Sequence, residues 1–323
     1  MSLTVFYAII FAVLLACELI YFRIANRYHI GDNVTPRSSH KKYQLTGGGI
    51  IFIFAAIIYY IWQPKQSLRF DLVMLGAICL AVISFIDDIK STSPILRLLI
   101  QSIVICLAFY YNIAWGYIDV FLVVFICGLG FINAYNFMDG INGITASYSL
   151  VTLTTMLYYT FTTPYFQVPQ PFIVVLIIAM AIFAFFNCRK NAICFAGDVG
   201  SIVIGFFIMY MIVELCWATA DATCIILVSV YGVDTAFTII QRLFAGEHIL
   251  LPHRHHLYQV LANQWGIEHY KVSLYYASTQ LVINGIYILI PRDYHLTYFI
   301  FVIVALSFCY FTLKRSKLSR MNY

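Results

Sequence analysis

The chain has 323 residues, of which 62% are hydrophobic and only 10% are charged. A soluble domain would carry about a quarter charged residues, and here whole windows are apolar on every face of a helix. This composition excludes an ordinary soluble protein, and the continuous apolar runs exclude the alternating strands of a membrane β-barrel.

Eleven apolar segments approach the roughly 20 residues that a helix needs to cross a bilayer. In chain order they cover residues 3–24, 48–62, 72–86, 98–115, 120–134, 144–161, 172–186, 202–217, 223–240, 272–290 and 296–313. We therefore predict an all-α polytopic integral membrane protein with about 10–11 transmembrane helices. The first segment is not expected to be a cleaved signal peptide, because its basic residues follow it instead of preceding it.

The distribution of basic residues predicts which side each loop faces. Of the 19 Lys and Arg residues, all but Lys65, Arg69 and Arg292 lie in loops after odd-numbered segments or in the C-terminal tail. The positive-inside rule then places those loops and the C-terminus in the cytoplasm, with the N-terminus outside. The net charge of +5 follows from this topology, so by itself it does not indicate an anionic partner.

Five polar segments interrupt the apolar runs, and all lie on or beside the predicted cytoplasmic loops. They are residues 37–40 with Gly47-Gly48-Gly49, then Asp87-Asp88, residues 133–142, residues 197–201 and residues 253–256. A membrane protein tolerates such groups only where they are satisfied or used, so we expect them to form one cytoplasmic site. The longest loop, residues 241–271, is expected to contain an interfacial helix that forms one wall of that site.

The acidic segment Asp87-Asp88 ends the third predicted span. Adjacent carboxylates repel, so the pKa of one should rise unless a cation is close. A magnesium ion or a role as proton acceptor would account for both residues, and charges that merely anchor a helix end are the alternative.

In the next segment, Asn133, Asn136, Asp139 and Asn142 recur every three residues, which places them along one side of a helix. Such a row is typical of ligand binding at a span end. Hydrogen bonds that join helices are the alternative.

The segment 197–201 (GDVGS) comes just before a predicted span. The N-terminus of that helix favours an anion, and Asp198 would hold a metal beside it. Taken alone, the motif is better explained as a helix N-cap. Likewise, Gly47-Gly48-Gly49 indicates close helix packing more than a phosphate cradle.

The segment 253–256 places His253, His255 and His256 around Arg254. A structural zinc site needs four ligands and no cysteine is near, so donors to diphosphate oxygens fit better, with a solvated surface cluster as the alternative. The nine cysteines are scattered without a CxxC pair and are assigned no redox or metal role. Together, the acids, amides and basic donors indicate phosphoryl chemistry.

The motifs RSSH…GGG, DD, NAYNFMDGING, FAGDVGS and HRHH occur in this order over residues 37–256. They resemble those of the polyprenyl-phosphate N-acetylhexosamine-1-phosphate transferases, the WecA/MraY-like superfamily. The resemblance implies ten or eleven helices, a cytoplasmic site, dependence on Mg²⁺ or Mn²⁺, and transfer of a sugar 1-phosphate from a UDP-sugar to a lipid phosphate with release of UMP. Because HRHHLYQ lacks the Glu of the muramoyl-pentapeptide branch, the chain looks more like the WecA-like branch.

The resemblance also implies residue roles. Asp198 looks like the metal ligand, with Asn136 beside it on the diphosphate. Asp87, Asp88 and Asp139 resemble the essential acids, with Asp87 or Asp88 as the candidate base. The other implied site residues are Asn142 and Phe195 at the uracil, Arg97 near phosphate, and Arg242, His253, Arg254, His255 and His256 on diphosphate and sugar.

The expected protein is thus a single catalytic domain, residues 1–323, in a bacterial inner membrane. It would catalyse the first membrane step of O-antigen, capsule or teichoic acid synthesis. Its expected partners are UDP-N-acetylhexosamine, undecaprenyl phosphate and membrane lipid, with no nucleic acid, and a homodimer is a candidate assembly. The resemblance leaves the identity of the sugar open.

Two alternatives accompany this expectation. Direct in-line attack by the lipid phosphate is the expected mechanism, and a two-step route through an aspartyl-phosphate on Asp139 or Asp88 is its rival. A secondary transporter of an anionic solute is the alternative function. Transporters place charges near mid-bilayer and show internal repeats, whereas here the charges lie at span ends.

Overall fold

The protein is built almost entirely from helices. The computed structural model describes residues 3–32, 44–63, 67–110, 117–248 and 253–318. Its helices are α1 (Leu3–Arg27), α2 (Ile50–Trp62), α3 (Leu68–Ile89), α4 (Pro94–Ala108), α5 (Ile118–Met138), α6 (Ile144–Thr162), α7 (Gln170–Asn187), α8 (Gly197–Thr219), α9 (Ser229–Phe244), α10 (Leu257–Gln259), α11 (His269–Leu289) and α12 (His295–Leu318). The remaining elements are an antiparallel hairpin of β1 (Gly31–Asp32) and β2 (Gln44–Leu45), 3₁₀ turns at Ala222–Val228 and Arg292–Tyr294, and a π turn at Val260–Gln264.

Each of the eleven predicted spans overlaps a helix, and the fold class is confirmed as an all-α polytopic membrane protein. Among the described residues, the segments long and apolar enough to cross a membrane number seven: Leu3–Arg27, Leu68–Ile89, Ile118–Met138, Gln170–Asn187, Gly197–Thr219, Ala222–Phe244 and Arg292–Arg315. The helices Ile50–Trp62 and Pro94–Ala108 are apolar but shorter. α6 and α11 are long enough but less apolar, because they carry many Ser, Thr, Tyr, Asn and Gln side chains.

α8 lies at the centre of the bundle, packed against α2, α3 and α5. It is apolar on every face, and its side chains from Val199 to Ile212 are all buried. α1 and α12 instead lie at the periphery, where most of their apolar side chains are exposed, as expected of helices that face lipid. The polar first turn of α8 is therefore fixed directly to the core.

Glycines let α2 and α8 approach each other closely. A Cβ on Gly49 would overlap Gly200 of α8. The backbone N–H of Gly48 donates to the carbonyl of Phe195 at 2.9 Å, and that of Gly49 donates to Ala196 at 3.0 Å. These contacts confirm the prediction of close packing at the glycine triplet, and they join the start of α2 to the segment before α8.

Three helix boundaries differ from the prediction. α5 continues to Met138 instead of ending at residue 134, so Asn133 and Asn136 are helical. α8 begins at Gly197, so the GDVGS segment is its first turn and does not precede it. The predicted span 223–240 is divided into a 3₁₀ turn and α9, because Asp221 accepts a hydrogen bond from the backbone N–H of Thr223 at 2.9 Å and caps the tighter turn.

Two predicted features fall wholly or partly outside the described residues. The Arg37-Ser38-Ser39-His40 motif belongs to the range 33–43. Residues 249–252 of the predicted interfacial helix also lie outside. The rest of that predicted helix includes α10 and the π turn that continues it.

Candidate active site

The carboxylate of Asp88, in the last turn of α3, lies against the first turn of α8. Its Oδ1 accepts a hydrogen bond from the backbone N–H of Asp198 at 2.9 Å, and its Oδ2 accepts one from Val199 at 3.0 Å. Gly197 has a φ of +73°, and a Cβ there would lie 2.7 and 2.8 Å from the two oxygens of Asp88. The N-terminus of α8 thus binds an anion, as predicted, but that anion is the protein's own Asp88.

Arg97, near the start of α4, bridges the other two acids. Its Nη1 lies 2.7 Å from Oδ2 of Asp87 and 3.0 Å from Oδ2 of Asp198. Asp87 also accepts a hydrogen bond from the hydroxyl of Thr92 at 2.7 Å. Arg97 therefore compensates Asp87 and the N-terminus of α8 compensates Asp88, while the two neighbouring carboxylates still repel each other, as predicted.

The bridge formed by Arg97 is partly exposed. The Arg97 side chain is 28% exposed, and those of Asp87 and Asp198 are 11% and 25% exposed. The three charged groups therefore lie near the surface of the site and not inside the core.

The amides of α5 divide between helix packing and the site. Nδ2 of Asn133 donates to Oε1 of Gln101 at 2.7 Å, so Asn133 joins α5 to α4. This contact agrees with the alternative interpretation of the segment, in which its amides form hydrogen bonds between helices. Oδ1 of Asn136 accepts a hydrogen bond from the hydroxyl of Ser201 at 2.8 Å. Asn136 therefore lies beside the first turn of α8, the turn that also carries Asp198.

Asp139 follows α5 directly as its C-terminal cap. Burial raises the pKa of Asp139 to about 6, although the hydroxyl of Thr145 opposes that shift. Asp139 also interacts electrostatically with Asp88, so the acids of two separate motifs meet at one end of the bundle.

The histidine segment covers the end of α5. The rings of His253 and His256 lie 6.1 and 6.4 Å from the ring of Phe137, centroid to centroid. The hydroxyl of Tyr258 donates to the carbonyl of Phe137 at 2.9 Å, and a Cβ on Gly140 would overlap that hydroxyl. The predicted histidine segment and the segment 133–142 therefore come together.

Asp234, in α9, holds the histidine segment in place. Its Oδ1 accepts a hydrogen bond from the backbone N–H of Leu257 at 2.8 Å and lies 3.3 Å from Nδ1 of His256. Its Oδ2 accepts from the hydroxyl of Tyr276 at 2.7 Å and from the backbone N–H of Tyr258 at 3.3 Å. Sequence reasoning missed Asp234, although a lone carboxylate inside an apolar span was a usable signal.

Arg242 is buried and anchors the start of the long loop. Its Nε donates to Oε2 of Glu247 at 2.9 Å, and its Nη2 donates to the carbonyl of His248 at 2.6 Å. Arg242 lowers the pKa of Glu247, which lies 3.6 Å from Nε2 of His255. Arg242 therefore stabilises the loop, and its contact with diphosphate and sugar stays a prediction.

The other two side chains of the histidine segment differ in character. Burial and the nearby charges of His256 and Arg242 lower the pKa of His253 to about 4, so its ring is neutral near pH 7. Arg254 is half-buried, and its Nη2 has no hydrogen-bond partner among the residues that the structure describes. That donor suits an anionic ligand.

Of the residues predicted to contact uracil, Asn142 lies between α5 and α6, and Phe195 lies between α7 and α8. Nδ2 of Asn142 donates to the carbonyls of Arg189 and Lys190 at 2.9 and 3.3 Å. The carbonyl of Asn142 accepts a hydrogen bond from the hydroxyl of Ser273 at 2.8 Å. Phe195 is half-buried just before α8. These contacts fix the local backbone, and uracil binding stays a prediction.

The donor set suits a hard divalent cation. The carboxylates of Asp87 and Asp198 already converge on one positive group, the guanidinium of Arg97, and the amide oxygen of Asn136 lies next to that turn. Within the described ranges, no group of three or more His, Cys, Asp or Glu side chains is placed to hold a metal ion. Mg²⁺ commonly takes one or two protein carboxylates and completes its shell with phosphate oxygens and water, so this arrangement fits it.

Comparison with known proteins extends this picture. The glycosyl transferase family 4 profile matches residues 70–216, which carry the four acids Asp87, Asp88, Asp139 and Asp198. The chain is 29% identical over 206 residues to a phospho-N-acetylmuramoyl-pentapeptide-transferase of Dictyoglomus thermophilum, covering 55% of this chain and 63% of that protein. It is 24% identical over 266 residues to a probable undecaprenyl-phosphate N-acetylglucosaminyl 1-phosphate transferase of Bacillus subtilis, covering 76% and 73%. It is 25% identical over 299 residues to a phospho-N-acetylmuramoyl-pentapeptide-transferase of Latilactobacillus sakei, covering 82% and 87%.

Fold and site together define a polytopic membrane protein with an acid-rich centre at one end of its helix bundle. The family 4 match over residues 70–216 and these relatives make the chain similar to the WecA/MraY-like superfamily, the resemblance that its motifs carry. The match spans 63% of the length of each of two Dictyoglomus relatives, and the relatives compared are bacterial.

Proposed function

We propose that the protein transfers N-acetylhexosamine 1-phosphate from a UDP-sugar to undecaprenyl phosphate, or another polyprenyl phosphate, and releases UMP. The names of its relatives, which are phospho-sugar transferases, support this reaction class. We further propose a bacterial inner membrane location with the site facing the cytoplasm, because the basic loops lie on that side by the positive-inside rule.

The arrangement of Asp87, Arg97 and Asp198 carries this proposal. One guanidinium nitrogen lies within 3.0 Å of two partly exposed carboxylates, beside a third acid fixed on a helix N-terminus. Such an arrangement suits a diphosphate bound together with a divalent cation, because the guanidinium can bind phosphate oxygens and the carboxylates can bind the cation. Buried transport sites more often place such charges near mid-bilayer on broken helices.

The proposed step is an in-line displacement at the β-phosphorus of the UDP-sugar. A lipid-phosphate oxygen forms the new P–O bond, the anhydride bond to the α-phosphate breaks, and UMP leaves with the electron pair. Arg97 and Arg254 donate hydrogen bonds to phosphate oxygens as their charge shifts. Asp87 and Asp88 both accept hydrogen bonds in this arrangement, and either one orients the lipid phosphate or takes its proton.

A divalent cation fits beside these residues. Asp198, with Asn136 and Asp87 as neighbours, would hold Mg²⁺ or Mn²⁺, which when bound supplies charge neutralisation on the diphosphate. The chain contributes the geometry, because Arg97 keeps Asp87 and Asp198 together before any ligand arrives.

We propose a simple N-acetylhexosamine donor, as in the WecA-like branch. The HRHHLYQ sequence lacks the Glu of the muramoyl-pentapeptide run, and the Bacillus subtilis relative of the N-acetylglucosaminyl class aligns over 76% of this chain. The product would then begin an O-antigen, capsule or teichoic acid chain. Most of the relatives compared are named phospho-N-acetylmuramoyl-pentapeptide-transferases, so the muramoyl-pentapeptide donor must be tested alongside the simple N-acetylhexosamine donors.

The test is transfer by the purified protein in detergent. The protein would be mixed with Mg²⁺, undecaprenyl phosphate and, in separate reactions, UDP-GlcNAc, UDP-GalNAc, a 6-deoxy UDP-HexNAc or UDP-MurNAc-pentapeptide, and UMP release would be measured. We expect one of the first three donors to give lipid product and UMP. Faster turnover of the muramoyl donor would reject the proposed branch, and no product from any donor, with solute uptake into proteoliposomes, would support a transporter instead.

A further inference from the structure

One buried carboxylate outside the sequence motifs collects donors from three separate elements. Asp234 is 2% exposed and receives the backbone N–H groups of Leu257 and Tyr258, which open α10. It also accepts a hydrogen bond from the hydroxyl of Tyr276 in α11. On its own helix, the hydroxyl of Thr238 donates to Oδ1 at 3.3 Å.

The same carboxylate faces the most deeply buried ring of the histidine segment. Oδ1 of Asp234 lies 3.3 Å from Nδ1 of His256, and the His256 side chain is 1% exposed. Because Oδ1 and Oδ2 of Asp234 already accept hydrogen bonds from N–H and O–H donors, the carboxylate faces His256 as an acceptor, and we infer that Nδ1 of His256 carries a proton. The ring is thereby fixed in one tautomer and one orientation.

The other nitrogen of that ring is left available. Nε2 of His256 is buried and has no hydrogen-bond partner in the part of the chain that the structure describes. The His256 ring lies 6.4 Å from that of Phe137, two residues before Asp139, so it stands over the acidic end of α5. A buried nitrogen without a partner is costly, which points to a ligand that completes it.

Asp234 is also linked to the last helix. Thr238, which donates to Asp234, lies 2.9 Å from the hydroxyl of Tyr310 in α12. Nζ of Lys314 donates to Oε1 of Gln241 at 2.9 Å and also to Tyr310. A continuous hydrogen-bond chain therefore runs from α12 through α9 to the histidine segment.

We propose that Asp234 is a positioning residue for the transfer reaction. This inference rests on the proposed function. Asp234 keeps a proton on Nδ1 of His256, so Nε2 is the ring nitrogen left for the substrate; in the neutral ring Nε2 accepts a hydrogen bond, and only in the imidazolium does it donate to a diphosphate oxygen. When the ring carries a second proton, Asp234 stabilises the positive charge while Nε2–H donates to the phosphate, as a carboxylate behind a catalytic imidazole does.

The test compares Asp234→Asn with His256→Gln and with the double variant. An amide at position 234 carries no negative charge and turns its NH₂ group against a backbone N–H whichever way it faces, so the acceptor that holds His256 is either weakened or replaced by a donor. We expect kcat to fall about 100-fold in Asp234→Asn while KM for the UDP-sugar changes little, a size typical of a lost acid–base group. In the His256→Gln background the same substitution should cause less than about a threefold further loss.

Asp221→Asn is the matched control. Asp221 forms a comparable carboxylate–imidazole pair elsewhere in the bundle, with Oδ2 2.7 Å from Nδ1 of His295. It lies at the far end of α8, a 23-residue helix about 34 Å long, from the acidic centre. We expect Asp221→Asn to lower the thermal unfolding temperature as much as Asp234→Asn does while leaving kcat within about threefold of wild type.

Tyr276→Phe is a second test of the role of Asp234, for use if Asp234→Asn fails to fold. It removes one donor to Asp234 and leaves the carboxylate in place. A loss of kcat that disappears in the His256→Gln background would support the proposal. An equal loss in both backgrounds, or a loss in Asp234→Asn no larger than in Asp221→Asn, would overturn it. Failure of the wild-type protein to release UMP would instead reject the proposed function.

Discussion

The carboxylate of Asp88 accepts the backbone N–H of Asp198 at 2.9 Å, so two acids from distant motifs are joined through the start of α8. A second oxygen of Asp88 accepts the N–H of Val199 at 3.0 Å. The position of Asp198 therefore depends on Asp88, whichever group takes part in the chemistry.

Asp88→Asn should both loosen this helix start and abolish most transfer. An amide has one acceptor oxygen, so one N–H of the first turn would face an NH₂ group, at a cost of about 1–3 kcal/mol in unfolding free energy. We expect UMP release to fall more than about 100-fold because Asp198 is displaced. The control is Asp71→Asn in the same helix, where Asp71 accepts from the hydroxyl of Tyr60 at 2.9 Å. Equal activities of the two variants would contradict this account.

Arg97→Ala should separate Asp87 from Asp198 and reduce transfer. Without the guanidinium, the two carboxylates repel and a donor to phosphate is lost, so we expect about a 100-fold lower rate and a higher Mg²⁺ concentration for half-maximal activity. Both quantities come from a Mg²⁺ titration of UMP release. Arg69→Ala is the comparison, because Arg69 forms an ion pair with buried Glu214 near the other end of α8. That variant should lose stability without changing the Mg²⁺ requirement.

Gly49→Ala should destabilise the packing of α2 on α8. The new methyl group would overlap Gly200, and relief of such overpacking costs about 1–3 kcal/mol. Thermal unfolding in detergent measures the loss. Gly285→Ala serves as the control, because a Cβ at Gly285, within α11, has no atom within 4 Å. A fall in unfolding temperature of the same size for Gly285→Ala would show that the α2–α8 contact is not the cause.

The pair of Asp221 and His295 should make stability depend on pH. Burial raises the pKa of Asp221, but hydrogen bonds from Thr223, His295 and Tyr287 outweigh burial and lower it below its ordinary value of 3.8. A lowered acid pKa gives stability that is fully present above the unfolded-state value and is lost as pH falls through the folded-state value. The difference in unfolding temperature between wild type and Asp221→Asn should therefore be constant above about pH 5 and narrow below about pH 4. A difference that widens on acidification would contradict the assignment.

The sequence could indicate which segments come together because each motif concentrates polar residues at a span end. The lengths of the apolar runs located the spans, and the DD and GDVGS motifs located the acids. The resemblance to the superfamily assigned Arg97 to phosphate, and the structure places its guanidinium between Asp87 and Asp198.

The contacts that assemble the site could not be predicted in this way. Asp88 and Val199 are 111 positions apart, and no local pattern indicates that one caps the helix of the other. Asp234 was missed for the same reason. Its role is visible only in the folded protein, where donors from α10 and α11 form hydrogen bonds with its carboxylate. Asn133 shows the converse, since its place in a motif suggested a ligand but its partner is Gln101.

The most direct test of the central claim is to follow the β-phosphorus of the donor. UDP-GlcNAc, or the donor found most active, would be labelled with radioactive phosphorus at the β position and incubated with the protein, Mg²⁺ and undecaprenyl phosphate. Our account predicts that the label enters the lipid product, that unlabelled UMP is released, and that Asp198→Asn abolishes both while it remains folded. Label that stays in released UDP while only the sugar reaches the lipid, or undiminished transfer by Asp198→Asn, would contradict it.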